Sequence, residues 1–458
     1  MTSWVLVVAL ASSQLPGEAA AFTRFDPVCT PPQTSVNFVS APQIRGTLEI
    51  LWSCIFTLLA CTWTIQHLNL PQQRNYRRRE TAWWASLKWD LAVFWTNLKW
   101  MLFTMVAPEI VLGKAVGDYF EARSLNKLFT EMKAQGKIEQ DAPWSLTHSF
   151  FAMMGGIRVI QEEESRALND ESEPHESQIE RSYVLLPRFL FRLRSSGDIP
   201  AMPSITEPEI MDRSKSSVFV KALAVLQVCW VCMQVIGRSA RGLAVSQLEL
   251  VVVAFAVCAV FIYAFLASKP KDVRIALPPI RLSPVLLADV ASWHGYPRPL
   301  FALVIFPSFV REKIAASAHS DYPPRRVPND GMQGSGAPYV LGFITGGVIF
   351  GAIHVAGWNL VFPTPVEQLL WRVCSLLIMV LVPMWLSLAP CVAAVLDSSW
   401  GVTFEERVDS VFGILFTLVS LIYLAARIIL LVLTFRSLAY LPPDAYIATW
   451  ASEVPYVG

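Results

Sequence analysis

The stretch QLELVVVAFAVCAVFIYAFLAS, residues 247–268, decides the fold class of this chain. Its 22 residues include one charged side chain, Glu249, and as a helix they would extend about 33 Å. The hydrocarbon core of a bilayer is about 30 Å thick, so about 20 mostly apolar residues are enough to cross it. The stretch therefore predicts a membrane-spanning helix.

Five further segments have the length and composition of a spanning helix. They are Thr47–Ile65, Val218–Gly237, Pro338–Phe362, Arg372–Leu396 and Val411–Phe435. Over the whole chain 54% of the residues are hydrophobic and 16% are charged, whereas soluble domains carry about 25% charged residues. We therefore predict an all-α, polytopic helical membrane protein with six transmembrane helices and the lipid bilayer as its partner.

The first 21 residues, MTSWVLVVALASSQLPGEAAA, have the pattern of a signal peptide. The apolar core Trp4–Ala11 is too short to span a bilayer, and Ala19 and Ala21 are the small residues expected before a cleavage site at Phe22. The alternative is a short buried N-terminal helix. Cleavage predicts an integral membrane protein of the secretory pathway, in the endoplasmic reticulum, the Golgi or the plasma membrane.

The segment 91–113 is ambiguous because it contains Lys99, Pro108 and Glu109. If it spans, the basic flanks of the later helices all become lumenal. If it lies on the surface, those flanks face the cytosol, as the positive-inside rule requires. We therefore prefer six spans with both termini lumenal, and seven spans are the alternative.

A repeated pattern supports the surface position of this region. Trp84 and Lys88 recur eleven residues later as Trp95 and Lys99, which is about three helical turns. Tryptophan and lysine side chains both settle at the depth of the lipid headgroups. The pattern predicts an interfacial helix.

These assignments give the order of segments along the chain. The order is a signal peptide (1–21), a lumenal segment (22–46), the first transmembrane helix (47–65), a cytosolic region (66–217) with an acidic disordered stretch (162–180), a transmembrane helix pair (218–268), a proline-rich non-helical loop (269–337), three transmembrane helices (338–435) and a C-terminal tail (436–458).

Three parts of the cytosolic region carry more specific predictions. Trp144–Ile160 is predicted to be helical. Tyr183–Arg194 mixes aromatic, aliphatic and basic residues, which suits a membrane surface. Thr206 and Glu209 form a capping box, and we expect the helix that they begin to continue into the span at Val218.

Polar side chains within or beside the predicted spans are the intramembrane candidates for function: Arg427, Glu249 and His354. A charged side chain at the centre of a bilayer costs about 2.5–3.5 kcal/mol on insertion scales. Arg427 is therefore expected to snorkel towards the membrane surface or to pair, with Glu249 as a possible partner. Such a pair would serve either transport or structure alone.

Four glycines fall on one predicted span, in two pairs spaced four residues apart. Gly342 with Gly346, and Gly347 with Gly351, would each let another helix approach closely. His354 continues the second pair along the same face. The functional interpretation is a helix interface that presents His354 to a polar pocket, and the alternative is packing only, with His354 bonded to a carbonyl.

Glu109 directly follows Pro108 and is the first of three interfacial candidates. One interpretation is a polar notch, where the proline frees backbone carbonyls beside the carboxylate. The other is a helix start, with both residues in the first turn. Glu109, His148 and Glu49 would be the catalytic candidates if the chain were an enzyme.

Several function classes lack their signature in this sequence. The net charge is +1 and no broad basic patch is present, so we predict no nucleic-acid partner. Cys229 and Cys232 form a C-x-x-C motif, but they lie in the middle of a predicted span and not at the exposed helix end of a redox site. No metal-ligand spacing or cofactor motif is present, so we predict neither a metal nor a cofactor.

Several stretches resemble a family of uncharacterised fungal multi-pass integral membrane proteins with an N-terminal signal peptide. They are SAPQIRGTLEILWSCIFTLLACTW (40–63), LKWMLFTMVAPEI (98–110), WSLTHSFFAMMGG (144–156), WNLVFPTPVEQLLWR (358–372) and FRSLAYLPPDAYIATW (435–450). The resemblance implies several membrane spans and supplies no reaction or ligand.

Two classes of function follow as hypotheses. The first is a non-enzymatic membrane component for transport, signalling as a receptor-like protein, or scaffolding. It is favoured because no complete catalytic motif is visible. The second is a membrane-embedded enzyme that acts on a lipid or terpenoid, for example in secondary metabolism. A lipid or apolar small molecule is the candidate ligand, and the sequence makes no prediction of oligomeric state.

Overall fold

The computed structural model describes residues 46–73, 83–138, 142–162, 182–215, 218–292, 298–299, 324–334, 336–397 and 402–447. The predicted signal peptide (1–21), nearly all of the lumenal segment (22–46), most of the acidic stretch (162–180) and the tail beyond residue 447 lie outside these residues.

The described part of the chain is mostly helical. The α-helices are α1 (Thr47–Thr64), α2 (Trp83–Val106), α3 (Pro108–Ala134), α4 (Leu146–Met153), α5 (Pro187–Ser196), α6 (Glu207–Asp212), α7 (Val218–Ala240), α8 (Gln247–Phe265), α9 (Pro284–Ser292), α10 (Ala337–Ala356), α11 (Pro365–Asp397) and α12 (Val402–Ser437). The short strands are β1 (Arg158–Gln161), β2 (Tyr183–Val184), β3 (Ile280–Leu282), β4 (Arg298–Pro299) and β5 (Gly331–Met332).

Five helical segments among the described residues are long and apolar enough to cross a membrane, or six if the bent pair α2–α3 counts as one span. The five are Thr47–Thr64, Ala222–Ala240, Gln247–Phe265, Ala337–Ala356 and Thr417–Tyr440. They coincide with five of the six predicted spans. The sixth, Arg372–Leu396, falls within α11, where the side chains of residues 385–397 lie outside the description.

Contacts at one end of the long helices show that α1 begins where α7 and α12 end. Arg238 at the end of α7 is buried and donates to the carbonyls of Asp444 and Ile447, which follow α12. The hydroxyl of Thr47, at the start of α1, lies 3.1 Å from that of Tyr446. We call this the tail end of the helix bundle, defined by Arg238, Thr47, Asp444 and Tyr446.

The opposite end also joins segments that are distant in sequence. The ammonium of Lys271, after α8, donates to the carbonyl of Thr64 at 2.7 Å and so closes the C-terminus of α1. Ser214, just before α7, donates to the carbonyl of Lys271 at 2.8 Å. We call this the domain end of the bundle, defined by Thr64, Ser214 and Lys271, because a small folded domain is attached there.

This domain contains strands that the all-α prediction missed. Strand β1 lies in the centre of a three-stranded sheet, antiparallel to β2 and parallel to β3. The predicted helix Trp144–Ile160 is correct only as far as Met153, where α4 ends. Gly155 then adopts a φ of +89°, which favours glycine, and the chain turns into β1.

The segment Tyr183–Arg194 was expected at a membrane surface and instead packs into the protein. It forms β2 and most of α5, and the side chains of Phe189, Leu190, Phe191 and Leu193 belong to the core of the domain. The same alternation of apolar and basic residues suits a membrane surface and a protein core equally well, so composition could not distinguish them.

Two further predictions need correction. The capping box of Thr206 and Glu209 is present, but α6 ends at Asp212 and does not continue into the helix at Val218. The loop 269–337 was expected to be non-helical because of its prolines, yet α9 begins at Pro284. Proline is tolerated in the first turn of a helix, where its missing N–H has no partner to lose.

The ambiguous segment 91–113 is neither a straight span nor a continuous surface helix. Helices α2 and α3 meet at Ala107 and are bent by 109°. Pro108 cannot donate a backbone hydrogen bond to the preceding turn, so it ends α2 and begins α3. The bend lies beside the middle of α10, because a Cβ added to Gly346 would be 3.0 Å from the Cα of Glu109.

The four glycines of α10 face two different neighbours. Gly342 and Gly346 pack against α3, where Gly113 is also in backbone contact with α10. Gly351 packs against α11, because a Cβ added there would lie 2.5 Å from the Cα of Met379. Gly347 has more room, with the carbonyl of Ile378 at 3.9 Å from such a Cβ. Both close helix contacts therefore require glycine, which has no side chain to separate the backbones.

We expect Gly351→Ala to destabilise the fold and the neighbouring Gly347→Ala to be neutral or slightly stabilising. The new methyl group at position 351 meets the backbone of Met379, and overpacking of this kind costs about 1–3 kcal/mol. At position 347 alanine fits and has the higher helix propensity. Thermal unfolding of the two purified variants in detergent measures the difference, and equal unfolding temperatures would contradict the packing described above.

Candidate functional site: a buried glutamate–arginine pair at a helix break

The break between α2 and α3 leaves a backbone carbonyl that a distant arginine satisfies. Arg427 of α12 donates from Nε to the carbonyl of Val106, the last residue of α2, at 2.6 Å. The last carbonyls of a helix have no partner within the helix and carry partial negative charge. A guanidinium therefore suits this position in both hydrogen bonding and charge.

The first turn of α3 places a carboxylate beside the same arginine. Glu109 is 1% exposed, and its Oε2 lies 3.7 Å from Nη2 of Arg427. Its Oε1 accepts a hydrogen bond from the hydroxyl of Tyr423. Tyr423 and Arg427 are four residues apart on α12, so both side chains lie on one face of that helix.

The pair is compensated in charge but incomplete in hydrogen bonding. Oε2 of Glu109 and Nη2 of Arg427 are buried and have no hydrogen-bond partner among the described residues. Their separation of 3.7 Å exceeds the range of a hydrogen bond. Buried polar atoms without a partner are uncommon and call for a reason, such as a catalytic or ligand-binding role.

Aromatic side chains hold Arg427 from the other side. Its Cζ lies 4.1 Å from the centre of the Phe350 ring, in the range of a cation–π interaction. His354 stacks on Phe350 and Trp371, and its Nδ1 donates to the carbonyl of Phe350 at 2.8 Å. The structure thus places His354 in contact with a carbonyl and aromatic rings, next to the pair and not in an open polar pocket.

Glu249 was the predicted partner of Arg427, and the structure gives Glu109 that position instead. Oε2 of Glu249 accepts from the backbone N–H and the hydroxyl of Ser246, both at 2.8 Å. Ser246 and Glu249 form a capping box at the start of α8. The pattern of serine followed by glutamate three residues later was visible in the sequence and is the signal that was missed.

The other interfacial candidates do not join Glu109. Glu49 is exposed and faces the backbone N–H of Gly46 at 3.4 Å. His148 is buried in the domain, where Nε2 donates to the carbonyl of Ile205 at 2.8 Å and Nδ1 accepts from Ser145. The three residues lie in separate hydrogen-bond networks, so the structure assembles no shared catalytic site from them.

A second buried cluster lies at Asp118 and was not predicted. One oxygen of Asp118 accepts from Tyr339 at 3.0 Å and from Lys114 at 2.9 Å, and the other accepts from Lys269 at 2.9 Å. Burial lowers the pKa of Lys269, although the carboxylate of Asp118 opposes this effect. The cluster joins α3, α10 and the segment after α8. Only the four-residue spacing of Lys114 and Asp118 was readable from the sequence.

We expect Asp118→Asn to destabilise the protein strongly. The substitution keeps the shape of the side chain but leaves the buried Lys269 and the half-buried Lys114 without this counter-charge, and loss of one partner of a buried pair costs about 3–5 kcal/mol. The matched control is Glu131→Gln on the same helix, where an exposed pair with Lys127 spans 3.7 Å and contributes at most about 1 kcal/mol. Unfolding midpoints in detergent compare them, and similar midpoints would contradict a locking role for Asp118.

Among the described residues no group of three or more histidine, cysteine, aspartate or glutamate side chains could hold a metal ion. The Glu109–Arg427 site consists of a carboxylate, a guanidinium and a phenol. It offers an acceptor, a donor and a phenol hydroxyl in apolar surroundings.

Comparison with known proteins identifies a family whose function is unknown. No curated protein and no solved structure matches the chain significantly. The sequence model of a family of unknown function (DUF8562) matches residues 19–278, which is more than half of the 458 residues. The match includes Glu109 and Asp118 and ends before Arg427. The chain belongs to this family of unknown function.

Proposed function

We propose that this chain is a multi-pass integral membrane protein of the secretory pathway that carries a small polar solute across the bilayer. In this proposal six helices span, namely α1, α7, α8, α10, α11 and α12. The domain end faces the cytosol and the tail end faces the lumen. The alternating contacts at the two ends of the bundle and the positive-inside rule support this orientation.

The bent pair α2–α3 is then a re-entrant hairpin that enters from the cytosolic side. Phe94 of α2 contacts Trp63 at the domain end of α1, with ring centres 6.0 Å apart. Glu109, beside the tip, lies against Gly346, which is the tenth of the twenty residues of the spanning helix α10. The tip at Ala107 would therefore reach the middle of the membrane.

The incompletely bonded Glu109–Arg427 pair at this tip is the observation on which the proposal rests. Ionisable residues inside a membrane are costly and usually functional. Membrane carriers commonly place their binding site near the midplane, where broken helices expose backbone groups. Val106 and Glu109 are on opposite sides of such a break, and Arg427 contacts both.

The alternative of a membrane-embedded enzyme has less support. It required Glu49, Glu109 and His148 to gather at the interface, but they have separate partners. The incompletely bonded atoms at the tip instead favour recognition. Nη2 of Arg427 lacks an acceptor, which the polar group of a solute could supply.

The test is uptake by purified protein in liposomes, with an extract of small cellular metabolites outside and mass spectrometry of the contents. We expect at least one compound to accumulate over empty liposomes. Its uptake should fall about tenfold or more in Glu109→Leu and Arg427→Met, because a charge-assisted hydrogen bond contributes about 1.5–3 kcal/mol and each 1.4 kcal/mol is about tenfold.

The control is Glu367→Gln, which removes the carboxylate of another ion pair, in which the buried Glu367 lies 3.0 Å from the exposed Arg436, away from the break. Uptake should persist in this variant. No enrichment by the unaltered protein, or enrichment that survives both Glu109→Leu and Arg427→Met, would overturn the proposal. Size-exclusion chromatography of each variant verifies that it is folded.

A further inference from the structure

We infer that Glu109 binds a proton and that the solute is a small anion, such as a carboxylate, which enters together with that proton. This inference deepens the proposed function and rests on it. It follows from the arrangement of hydrogen bonds around Glu109 and Arg427, taken in the two protonation states of the carboxyl group.

In the ionised state the site repels an anion. Glu109 carries a negative charge 3.7 Å from Arg427, and the two charges compensate each other. An anionic oxygen that approached Nη2 of Arg427 would meet Oε2 of Glu109 at the same time. Like charges in a medium of low polarity repel strongly, so the ionised carboxylate excludes the solute.

Protonation at Oε2 reverses this preference. Oε1 is the oxygen that accepts from Tyr423, whereas Oε2 has no hydrogen-bond partner and faces Nη2 of Arg427. With a proton on Oε2, both atoms are donors and lie 3.7 Å apart, close enough for one acceptor to bond both when the tightly packed tip opens. One anionic oxygen accepts from both, and the added proton and the added anion leave the net charge of the site unchanged.

Arg427 keeps its position when Glu109 becomes neutral. Its Nε remains bonded to the carbonyl of Val106, and its Cζ remains over the ring of Phe350. Neither contact involves Glu109. The guanidinium therefore stays at the tip of the hairpin and becomes available to the solute, instead of following the carboxylate.

The other titratable groups near the pair have fixed roles. Tyr423 of α12 donates to Glu109, and His354 of α10 donates to the carbonyl of Phe350. Cys258 of α8 is buried within electrostatic range of Glu109 and Arg427, and an ordinary thiol is neutral at physiological pH. Glu109 is thus the carboxylate in this group and the residue whose charge decides the state of Arg427.

Infrared difference spectroscopy of the protein in lipid nanodiscs tests the proton. On a step from mildly alkaline to mildly acidic medium we expect the carbonyl band of a buried carboxylic acid to appear. The band should be absent in Glu109→Gln and present in Glu367→Gln. If no band that depends on Glu109 appears over the pH range in which the protein stays folded, the inference is wrong.

Acetate, as the simplest carboxylate, tests the anion. If acetate binds about tenfold more tightly to the protonated site, a typical coupling between linked sites, saturating acetate raises the midpoint of the band by about one pH unit. Arg427→Met should abolish this shift. A midpoint that acetate leaves unchanged in the unaltered protein would overturn the assignment of a carboxylate solute.

These results separate the inference from the proposed function. If metabolite uptake depends on Glu109 but no Glu109-dependent infrared band appears, the chain is a carrier and Glu109 does not bind a proton. If the band appears but the protein enriches no metabolite, Glu109 binds a proton and the proposed carrier function is wrong.

Discussion

The hydrogen bond from Arg427 to the carbonyl of Val106 is the contact on which the arrangement of the hairpin depends. Pro108 cannot continue α2, and an unpaired buried carbonyl costs about 1–3 kcal/mol. Arg427 supplies the missing donor and brings α12 to the break. Once it is there, its charge requires a counter-charge, and Glu109 lies in the first turn of the next helix. The bend, the ion pair and the contact between α12 and the hairpin are thus consequences of one proline and one arginine.

The glycines of α3 and α10 determine how closely the returning arm of the hairpin can follow its neighbour. Gly113 and Gly342 let the two backbones touch, and Gly346 does the same directly beside Glu109. The polar cluster of Asp118, Lys269 and Tyr339 then fixes the same pair of helices at the domain end. The start of α3 is thus held by the Glu109–Arg427 charges and its next turns by close packing against α10. Further along, α3 is held by the buried hydrogen bonds of Asp118.

The long apolar helices could be predicted from sequence because composition alone specifies them, as the run 247–268 shows. Their partners could not be predicted, since Glu109 and Arg427 are far apart in the chain and no periodicity links them. The capping box of Thr206 and Glu209 was recognised while the same pattern at Ser246 and Glu249 was overlooked, because a carboxylate within a span had been assigned to the arginine. Strands as short as β2 and β3 carry too few residues to show a period of two, so the domain was predicted without a sheet.

The hydrogen bonds between Arg238 and the segment after α12 constrain the order in which the protein assembles. Arg238 lies in the last turn of α7, yet two of the carbonyls that it binds belong to Asp444 and Ile447, 206 and 209 residues further along the chain. During synthesis the turn after α7 emerges long before these partners exist, and domains and segments fold in the order in which they leave the ribosome. The tail end of the bundle can therefore close only after α12 has been made, so the contacts of α1 and α7 at this end form late in assembly.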